Sequence, residues 1–135
     1  VLGNEYPKAS VPGEIIPVNA FYDYKAKYID QRSRLFIPAE LGDVVSARAR
    51  ELAVAAFKAV DAVGLARVDM FVTADGEVIV NEINTMPGFT AISMYPKLWE
   101  KSGISGPHLV NTLVSLGMAW HDRRLKLQHK YEENS

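Results

Sequence analysis

Residues 64–90 read GLARVDMFVTADGEVIVNEINTMPGFT, so two apolar runs stand on either side of Asp75-Gly76. An Asp-Gly pair between apolar runs is a strong signal of a β-hairpin, because glycine reaches the backbone conformations that a tight turn needs. If these two residues alone form the turn, their neighbours pair with each other, and the register follows by counting outward along both strands. We therefore predict an antiparallel hairpin over 65–83.

This register brings four polar side chains to one face of the hairpin. It pairs Asp69 with Glu82 and Arg67 with Asn84, and residues two apart in a strand point to the same side. Directly opposed carboxylates repel each other, and a bound cation removes the conflict. Two carboxylates and an amide oxygen are the hard ligands that Mg²⁺ or Mn²⁺ prefers, so Asp69, Glu82 and Asn84 are candidate metal ligands. The guanidinium of Arg67 beside them suits a phosphate or a developing oxyanion.

Two alternatives to a metal site stay open at this point. Arg67 would also neutralise Asp69 and Glu82 as an ordinary ion-pair cluster on a hairpin. A turn of three residues would slip the pairing by one and put the two carboxylates on opposite faces. Toward the turn the polar face continues with Phe71 and Val80, which predicts that the cluster lies at the open end of an otherwise buried face.

A helix is predicted on the N-terminal side of the hairpin, over residues 41–63. Its apolar residues recur at helical spacing, and Gly64 is expected to end it as a C-cap. The residues at this spacing are Leu52, Ala56, Val60 and Val63, and Phe57 broadens the stripe. The helix is expected to pack on the hairpin through one stripe of side chains, formed by Leu52, Ala56 and Val60.

Two further helices are predicted on the C-terminal side. The first covers 95–102 and ends at Gly103, and the second begins near Pro107, where the missing N–H of proline is tolerated. The apolar stripe of the second helix consists of Leu109, Leu113, Leu116 and Trp120. Residues 121–135 read as a polar C-terminal tail that frays into solvent. Together these elements predict an α+β domain, with an antiparallel sheet and helices packed on one face.

Composition narrows the classes of function. The chain has 135 residues, 48% of them hydrophobic and 23% charged, as expected of one folded domain. A formal charge of -1 offers no electrostatic case for nucleic acid or an anionic membrane as a partner. The absence of cysteine excludes disulfides, thiolate metal sites and a cysteine nucleophile. Because the chain begins Val1-Leu2 without methionine, we expect a fragment of a longer protein.

Two motifs carry a resemblance to a known family. The run NEINTMPGFT at 81–90, preceded by GLARVD at 64–69, resembles the signature of the D-alanine–D-alanine ligases of the ATP-grasp superfamily. The run FYDYKAKY at 21–28 resembles the mobile loop of that family, which we expect over 19–33. The resemblance implies that residues 1–135 form the C-terminal catalytic domain of a longer ligase, which also has N-terminal and central domains.

The resemblance also implies roles for the residues of the hairpin and the loop after it. Asp69, Glu82 and Asn84 match the ligands of two Mg²⁺ ions, for which Mn²⁺ can substitute, that bridge the phosphates of ATP. Arg67 and the backbone N–H of Gly88 match the groups that stabilise a tetrahedral intermediate.

Four other residues match positions that touch substrates in the family. Ser93, through its hydroxyl, and Met94, through its backbone, match the positions that hold the carboxylate of the second D-alanine. Lys27 matches a lysine that reaches the phosphates of ATP, and Tyr28 matches a tyrosine that helps close the loop and orient substrate.

The implied activity joins two D-alanines at the expense of ATP. Phosphorylation of the first carboxylate gives an acyl phosphate, and the amine of the second D-alanine displaces phosphate to form a precursor of peptidoglycan. The resemblance implies a bacterial cytosolic enzyme with a homodimeric parent, and it leads us to expect that the fragment alone is inactive. One alternative is a ligase that accepts D-lactate or D-serine, although the Lys27-Tyr28 pair resembles the dipeptide-forming kind and differs from lactate-accepting relatives. The other alternative is a non-catalytic module that binds nucleotide, metal or a partner chain.

Overall fold

A computed structural model describes residues 1–16 and 34–127, apart from the side chain of Leu127. The predicted loop at 19–33 and the last part of the predicted tail, 128–135, lie outside the described residues. The described elements are, in chain order, β1 (Leu2–Gly3), β2 (Glu14–Ile16), β3 (Arg34–Phe36), α1 (Asp43–Ala59), β4 (Gly64–Leu65), β5 (Arg67–Val72), β6 (Val78–Asn84), α2 (Met94–Lys101) and α3 (Gly106–Leu127).

The α+β prediction is confirmed, and the described strands form three two-stranded antiparallel ladders. β1 pairs with β4, β2 with β3, and β5 with β6. The helix α1 packs against β5 and β6 as predicted, so it covers one face of the long hairpin. None of the helices in the described part of the chain is long and apolar enough to cross a membrane.

The short β1–β4 ladder separates two hydrophobic clusters. Leu2 pairs with Leu65, and both belong to a cluster whose buried members also include Tyr95, Trp99 and Leu109. The neighbouring residues, Val1 and Ala66, belong instead to a cluster around Phe57 of α1. Since side chains alternate along a strand, this ladder is covered by α1 on one side and by α2 and α3 on the other.

The core of the domain is small but fully enclosed at its centre. Phe57 and Leu109 have no exposed surface at all. Burial of a side chain of this size contributes about 1.5–3 kcal/mol to folding. Tyr95 lies between the two clusters, because its ring touches Trp99 while its hydroxyl donates to the Val1 carbonyl at 2.9 Å. Burial raises the pKa of Tyr95 above its ordinary value.

The side of α1 that faces the hairpin differs from the predicted stripe. Ala49 and Phe57 are the buried residues of this helix, and Ala53 packs with Phe57 in the second cluster. Val60 is 52% exposed, so it does not join the core as predicted. The reason is that α1 ends at Ala59, which leaves Val60 at the C-cap, beyond the last full turn.

The C-terminus of α1 is closed by Asp61, whereas the sequence predicted Gly64. Asp61 adopts φ 50°, and its N–H donates to the Lys58 carbonyl at 3.1 Å. The N–H of Ala62 donates to the Phe57 carbonyl at 3.1 Å, which completes the Schellman pattern that ends many helices. Gly64 has φ 77° but serves the start of β4, where its N–H donates to Asn4 Oδ1 at 3.0 Å.

The two C-terminal helices follow their local signals closely. Gly103 has φ 91° and its N–H donates to the Glu100 carbonyl, so it ends α2 as predicted. Leu109 is buried, and Leu113 and Leu116 pack against the same cluster. The helix α3 continues to Leu127, so residues 121–127 are helical rather than the start of a frayed tail.

Candidate active site

The turn of the β5–β6 hairpin contains three residues, not the predicted two. The N–H of Thr73 donates to the Glu77 carbonyl at 2.9 Å, so Ala74, Asp75 and Gly76 form the loop. Gly76 takes φ 84°, the left-handed conformation that closes such a loop after a type I turn. The Thr73 hydroxyl donates to Asp75 Oδ1 at 2.5 Å and holds the pKa of Asp75 below its ordinary value.

A β-bulge in β6 then restores the predicted register at the polar residues. Met70 pairs with Val80, whereas the next pair is Asp69 with Glu82, so Asn81 is the extra residue of the bulge. Arg67 consequently pairs with Asn84 as predicted. The longer turn shifts the register by one residue, and the bulge shifts it back.

The bulge also changes which apolar residues share the face of the polar cluster. Phe71 pairs with Ile79 rather than with Val80. Phe71 is 61% exposed and Ile79 is 45% exposed. The prediction of an otherwise buried face is therefore wrong for the described chain, in which the cluster lies at one end of an open and partly apolar surface.

The hairpin carries a charged cluster, which consists of Arg67, Asp69, Glu82 and Asn84. Within this charged cluster the guanidinium of Arg67 contacts both carboxylates. Arg67 Nε donates to Asp69 Oδ1 at 2.7 Å, and Arg67 Nη2 donates to Asp69 Oδ2 at 2.9 Å. The same Nη2 lies 3.6 Å from Glu82 Oε1. A bidentate contact of this kind fixes the plane of a guanidinium as well as its position.

The donor chemistry of the charged cluster fits a hard divalent cation. Asp69 and Glu82 are 32% and 45% exposed at their side chains, so solvent and ligands reach both carboxylates. Each carboxylate oxygen has more than one lone pair and can ligate a cation while it accepts a hydrogen bond. The described residues contain no group of three or more His, Cys, Asp or Glu placed for a metal, so a cation bound here would need a third oxygen from a residue such as Asn84.

Asn84 also directs the chain from β6 into the loop that follows. Its Oδ1 accepts a hydrogen bond from the N–H of Met86 at 3.0 Å, the geometry by which asparagine initiates a turn. Pro87 is buried next in the chain, and Gly88 comes directly after it. The charged cluster therefore continues without a break into the segment that was predicted to hold an oxyanion.

Gly88 and Ser93 meet across this loop. A Cβ at position 88 would lie 2.9 Å from Ser93 Oγ, closer than real Cβ atoms come to a neighbour. A side chain at position 88 would therefore displace the Ser93 hydroxyl, and this close approach, not a left-handed φ, is what favours glycine here. This contact brings together two of the residues that the sequence predicted for the site.

Ser93 and Met94 stand at the start of α2. Ser93 is the N-cap, with extended backbone angles, and no side chain caps this helix end. Its first turn contains no acidic residue. A helix N-terminus without a competing carboxylate attracts anions through its exposed N–H groups, which agrees with a carboxylate-binding role.

The structure also brings in a residue to which the sequence assigned no role. Thr90 contacts Ser93 three times: its N–H donates to Ser93 Oγ at 3.0 Å, its Oγ1 lies 2.9 Å from Ser93 Oγ, and its carbonyl accepts from the Ser93 N–H at 2.9 Å. The sequence signal that could have indicated this contact is the spacing of Thr90 and Ser93, two hydroxyl residues three positions apart just before a helix. Lys27 and Tyr28 lie outside the described residues, and their roles stay predictions.

An α+β domain with this cluster and this loop belongs to the ATP-grasp class of ligases, since its structural neighbours include D-alanine–D-alanine ligases of that class. The family model described as "D-ala D-ala ligase C-terminus" matches residues 1–115. The chain belongs to this family.

Three relatives illustrate the similarity. The D-alanine--D-alanine ligase of Shouchella clausii is 54% identical over 95% of this chain. The solved D-alanine-D-alanine ligase of Coxiella burnetii is 44% identical, has a TM-score of 0.80 and matches 93% of this chain and 32% of its own. The VanG D-Ala:D-Ser ligase of Enterococcus faecalis is 36% identical, with a TM-score of 0.75 over 85% of this chain and 34% of its own. The chain spans 35% of the length of the curated relatives it matches.

Proposed function

We propose that this chain is the catalytic C-terminal domain of an ATP-dependent ligase that joins two D-alanines into D-alanyl-D-alanine for peptidoglycan synthesis. The observation that carries the proposal is the charged cluster, in which two carboxylates, an amide and a guanidinium share one face of the hairpin. This set of groups suits a reaction in which negative charge moves between phosphate, carboxylate and oxyanion.

Asp69, Glu82 and Asn84 would hold two Mg²⁺ ions against the phosphates of ATP, with Mn²⁺ as a substitute. Ions bound there would neutralise the charge of the phosphoryl group that is transferred. The support for this assignment is that three oxygen-bearing side chains lie on the same face of the hairpin, where both carboxylates are partly exposed.

Arg67 would stabilise the oxyanion that forms when the amine attacks the acyl phosphate, together with the N–H of Gly88. The bidentate contact with Asp69 orients the guanidinium in advance, so little reorganisation is needed when charge develops. Ser93, through its hydroxyl, and Met94, through its N–H at the helix start, would hold the carboxylate of the acceptor D-alanine. We retain Lys27 for the phosphates and Tyr28 for loop closure and substrate orientation.

The remaining parts of the reaction belong to the rest of the parent enzyme. Because the relatives are about three times as long as this chain, we propose that N-terminal and central domains of the parent contribute the other nucleotide and substrate contacts. We also propose that the parent acts as a homodimer in the bacterial cytosol, where ATP and the precursors of peptidoglycan are found.

A second candidate function is the ligation of D-alanine to another acceptor. The specific observation in its favour is the similarity to a ligase whose name gives D-serine as the acceptor. Ser93 and Met94 would serve an acceptor carboxylate in either case, so these two residues do not separate the candidates.

Phosphate release by the full-length parent tests the proposal. The parent should release phosphate from ATP when D-alanine and Mg²⁺ are both present, and mass spectrometry should identify D-alanyl-D-alanine. Replacing half of the D-alanine with D-serine or D-lactate should yield little mixed product. Residues 1–135 alone should release none, which serves as the matched control. A parent that binds ATP and Mg²⁺ but forms no product with any acceptor would establish the non-catalytic alternative.

A further inference from the structure

The hydroxyl of Ser93 is turned away from the helix that it precedes. Serine at an N-cap ordinarily accepts a hydrogen bond from an N–H in the first turn, which contributes about 1 kcal/mol. In this chain Ser93 is the N-cap of α2 and makes no such bond. Its Oγ contacts Thr90 instead, through both the N–H and the hydroxyl of that residue. The chain therefore gives up a helix cap in order to hold this hydroxyl in another direction.

The contacts with Thr90 determine whether the Ser93 hydroxyl can still donate its proton or accept through a lone pair. A serine hydroxyl has one proton and two acceptor lone pairs. The N–H of Thr90 occupies one lone pair at 3.0 Å. The Thr90 hydroxyl, 2.9 Å away, occupies the second when it acts as the donor. The proton of Ser93 is then left to be donated, which is the capacity that a carboxylate requires because a carboxylate can only accept.

We propose that Thr90 is a positioning residue for acceptor binding, which acts by filling the lone pairs of Ser93 Oγ and so directs the Ser93 proton to the acceptor's carboxylate. This inference rests on the proposed function, in which Ser93 binds that carboxylate. In this role Thr90 acts through Ser93 and not directly on the substrate. Its effect is to make Ser93 a fixed donor rather than a rotating hydroxyl.

The close approach of Gly88 leaves little room beside the Ser93 hydroxyl. A single added carbon at Gly88 would lie 2.9 Å from Ser93 Oγ, so the space between the glycine backbone and the hydroxyl is already narrow. Within such a space a hydroxyl that rotated to another partner would lose its alignment with a ligand. The turn closed by Ser93 N–H and the Thr90 carbonyl at 2.9 Å holds the two residues at a constant separation.

Thr90→Val in the full-length parent tests the inference, because valine keeps the shape and the backbone N–H and removes only the hydroxyl. Initial rates over a wide range of D-alanine give separate Michaelis constants for the two bound D-alanines. The KM for the acceptor should rise about fivefold, the effect of one neutral hydrogen bond, while kcat and the KM for ATP change less than about twofold. Thr90→Ser should restore the acceptor KM.

Thr112→Val is the matched control. Thr112 donates its hydroxyl to the His108 carbonyl at 2.9 Å within α3, so the same atoms are removed at a distant position. No kinetic constant should change. If Thr90→Val instead lowers kcat and raises both Michaelis constants together, the role of Thr90 is general support of the loop and the inference is wrong.

A double variant separates this inference from the proposed function. Ser93→Ala should raise the acceptor KM by itself, and Thr90→Val should add nothing in that background, because Thr90 acts only through Ser93. A normal acceptor KM in Ser93→Ala would overturn the binding role in the proposed function. A raised KM in Ser93→Ala, together with a normal KM in Thr90→Val, would overturn only the inference about Thr90.

Discussion

The two faces of the β5–β6 hairpin are built from the same strands but have opposite character. On one face, Val68 and Ile83 pack in the cluster that contains the fully buried Phe57 of α1. On the other face, the charged cluster adjoins Phe71, which is 61% exposed. The packed face stabilises the hairpin, and this stability offsets the cost of placing like charges directly opposite each other on the open face.

The separation of the packed face from the open face depends on one residue, Asn81. The bulge at Asn81 reverses the alternation of side chains within β6, so Ile79 and Glu82 share a face although they are three residues apart. A regular strand would have placed them on opposite sides. Because the bulge compensates for the three-residue turn, the hairpin still has an apolar face packed on α1 and the charged cluster on the opposite face.

The largest expected effect concerns the packed face. Phe57→Ala should lower the free energy of unfolding by about 3–5 kcal/mol, because it leaves a cavity where the side chain has no exposed surface. Phe71→Ala, the matched variant on the open face, should cost less than about 1 kcal/mol. Urea unfolding followed by the fluorescence of Trp99 and Trp120 measures both. Equal losses would mean that the two faces do not differ in packing.

The second effect concerns catalysis on the open face. Glu82→Gln in the full-length parent should reduce the Mg²⁺-dependent turnover about a hundredfold, because an amide does not balance the charge of a cation. Affinity for the nucleotide should fall much less. Glu77→Gln, beside the turn of the same hairpin, should leave turnover unchanged. Near-normal turnover in Glu82→Gln would reject this residue as a metal ligand.

The third effect distinguishes an ion-pair cluster from a metal site. Arg67→Gln should lower the stability of the chain by about 1 kcal/mol without metal, since the opposed carboxylates lose their guanidinium while they stay partly solvated. Added Mg²⁺ should then stabilise the variant more than the natural chain, because a cation takes the place of the lost charge. The control is Arg48→Gln, which removes an exposed pair with Glu51 on α1.

Thermal unfolding of both variants with and without MgCl₂ gives the comparison. A loss of stability in Arg67→Gln that Mg²⁺ does not reverse would favour the reading in which Arg67 merely neutralises the two carboxylates.

The smallest expected effect concerns the turn that sets the register. Gly76→Ala should destabilise the chain by about 1 kcal/mol, because Gly76 takes φ 84°, a conformation that a residue with a Cβ adopts only with strain. Gly117→Ala, in α3 with no atom near the added carbon, should instead stabilise the chain by about 0.5–1 kcal/mol. If both substitutions stabilised the chain, or both destabilised it, the left-handed conformation of Gly76 would be contradicted. Thermal unfolding of the two variants side by side measures this difference in sign.

Some elements follow from local sequence because their signals act over a few residues. Gly103 ends α2 where the sequence predicted, and Leu109 is buried in the helix that begins near Pro107. The existence of the hairpin and its approximate position also follow from Asp75-Gly76. The motifs NEINTMPGFT and GLARVD were enough to indicate the family, which the family match over residues 1–115 confirms.

The pairing of the residues in the charged cluster was predicted correctly, although the prediction assumed the wrong length for the turn. The pairs Asp69–Glu82 and Arg67–Asn84 are present as expected, although the assumed two-residue turn is wrong. The same Asp-Gly pair is compatible with a two-residue turn and with a three-residue loop that ends in a left-handed glycine. The bulge that compensates for the longer loop has no local signature in the sequence.

The sequence by itself determined the α+β class, the helices and hairpin as elements, the family and the identity of the polar residues on the open face. Only the tertiary structure decided that Ala49 and Ala53 join Phe57 on the packed side of α1. It also decided that Asp61 rather than Gly64 ends that helix, and that Thr90 holds Ser93. The physical reason is the distance along the chain over which each kind of signal acts. Glycine, proline and apolar periodicity act on neighbouring residues, whereas the buried side of a helix and the register of a bulged strand are settled by contacts between segments far apart in the chain.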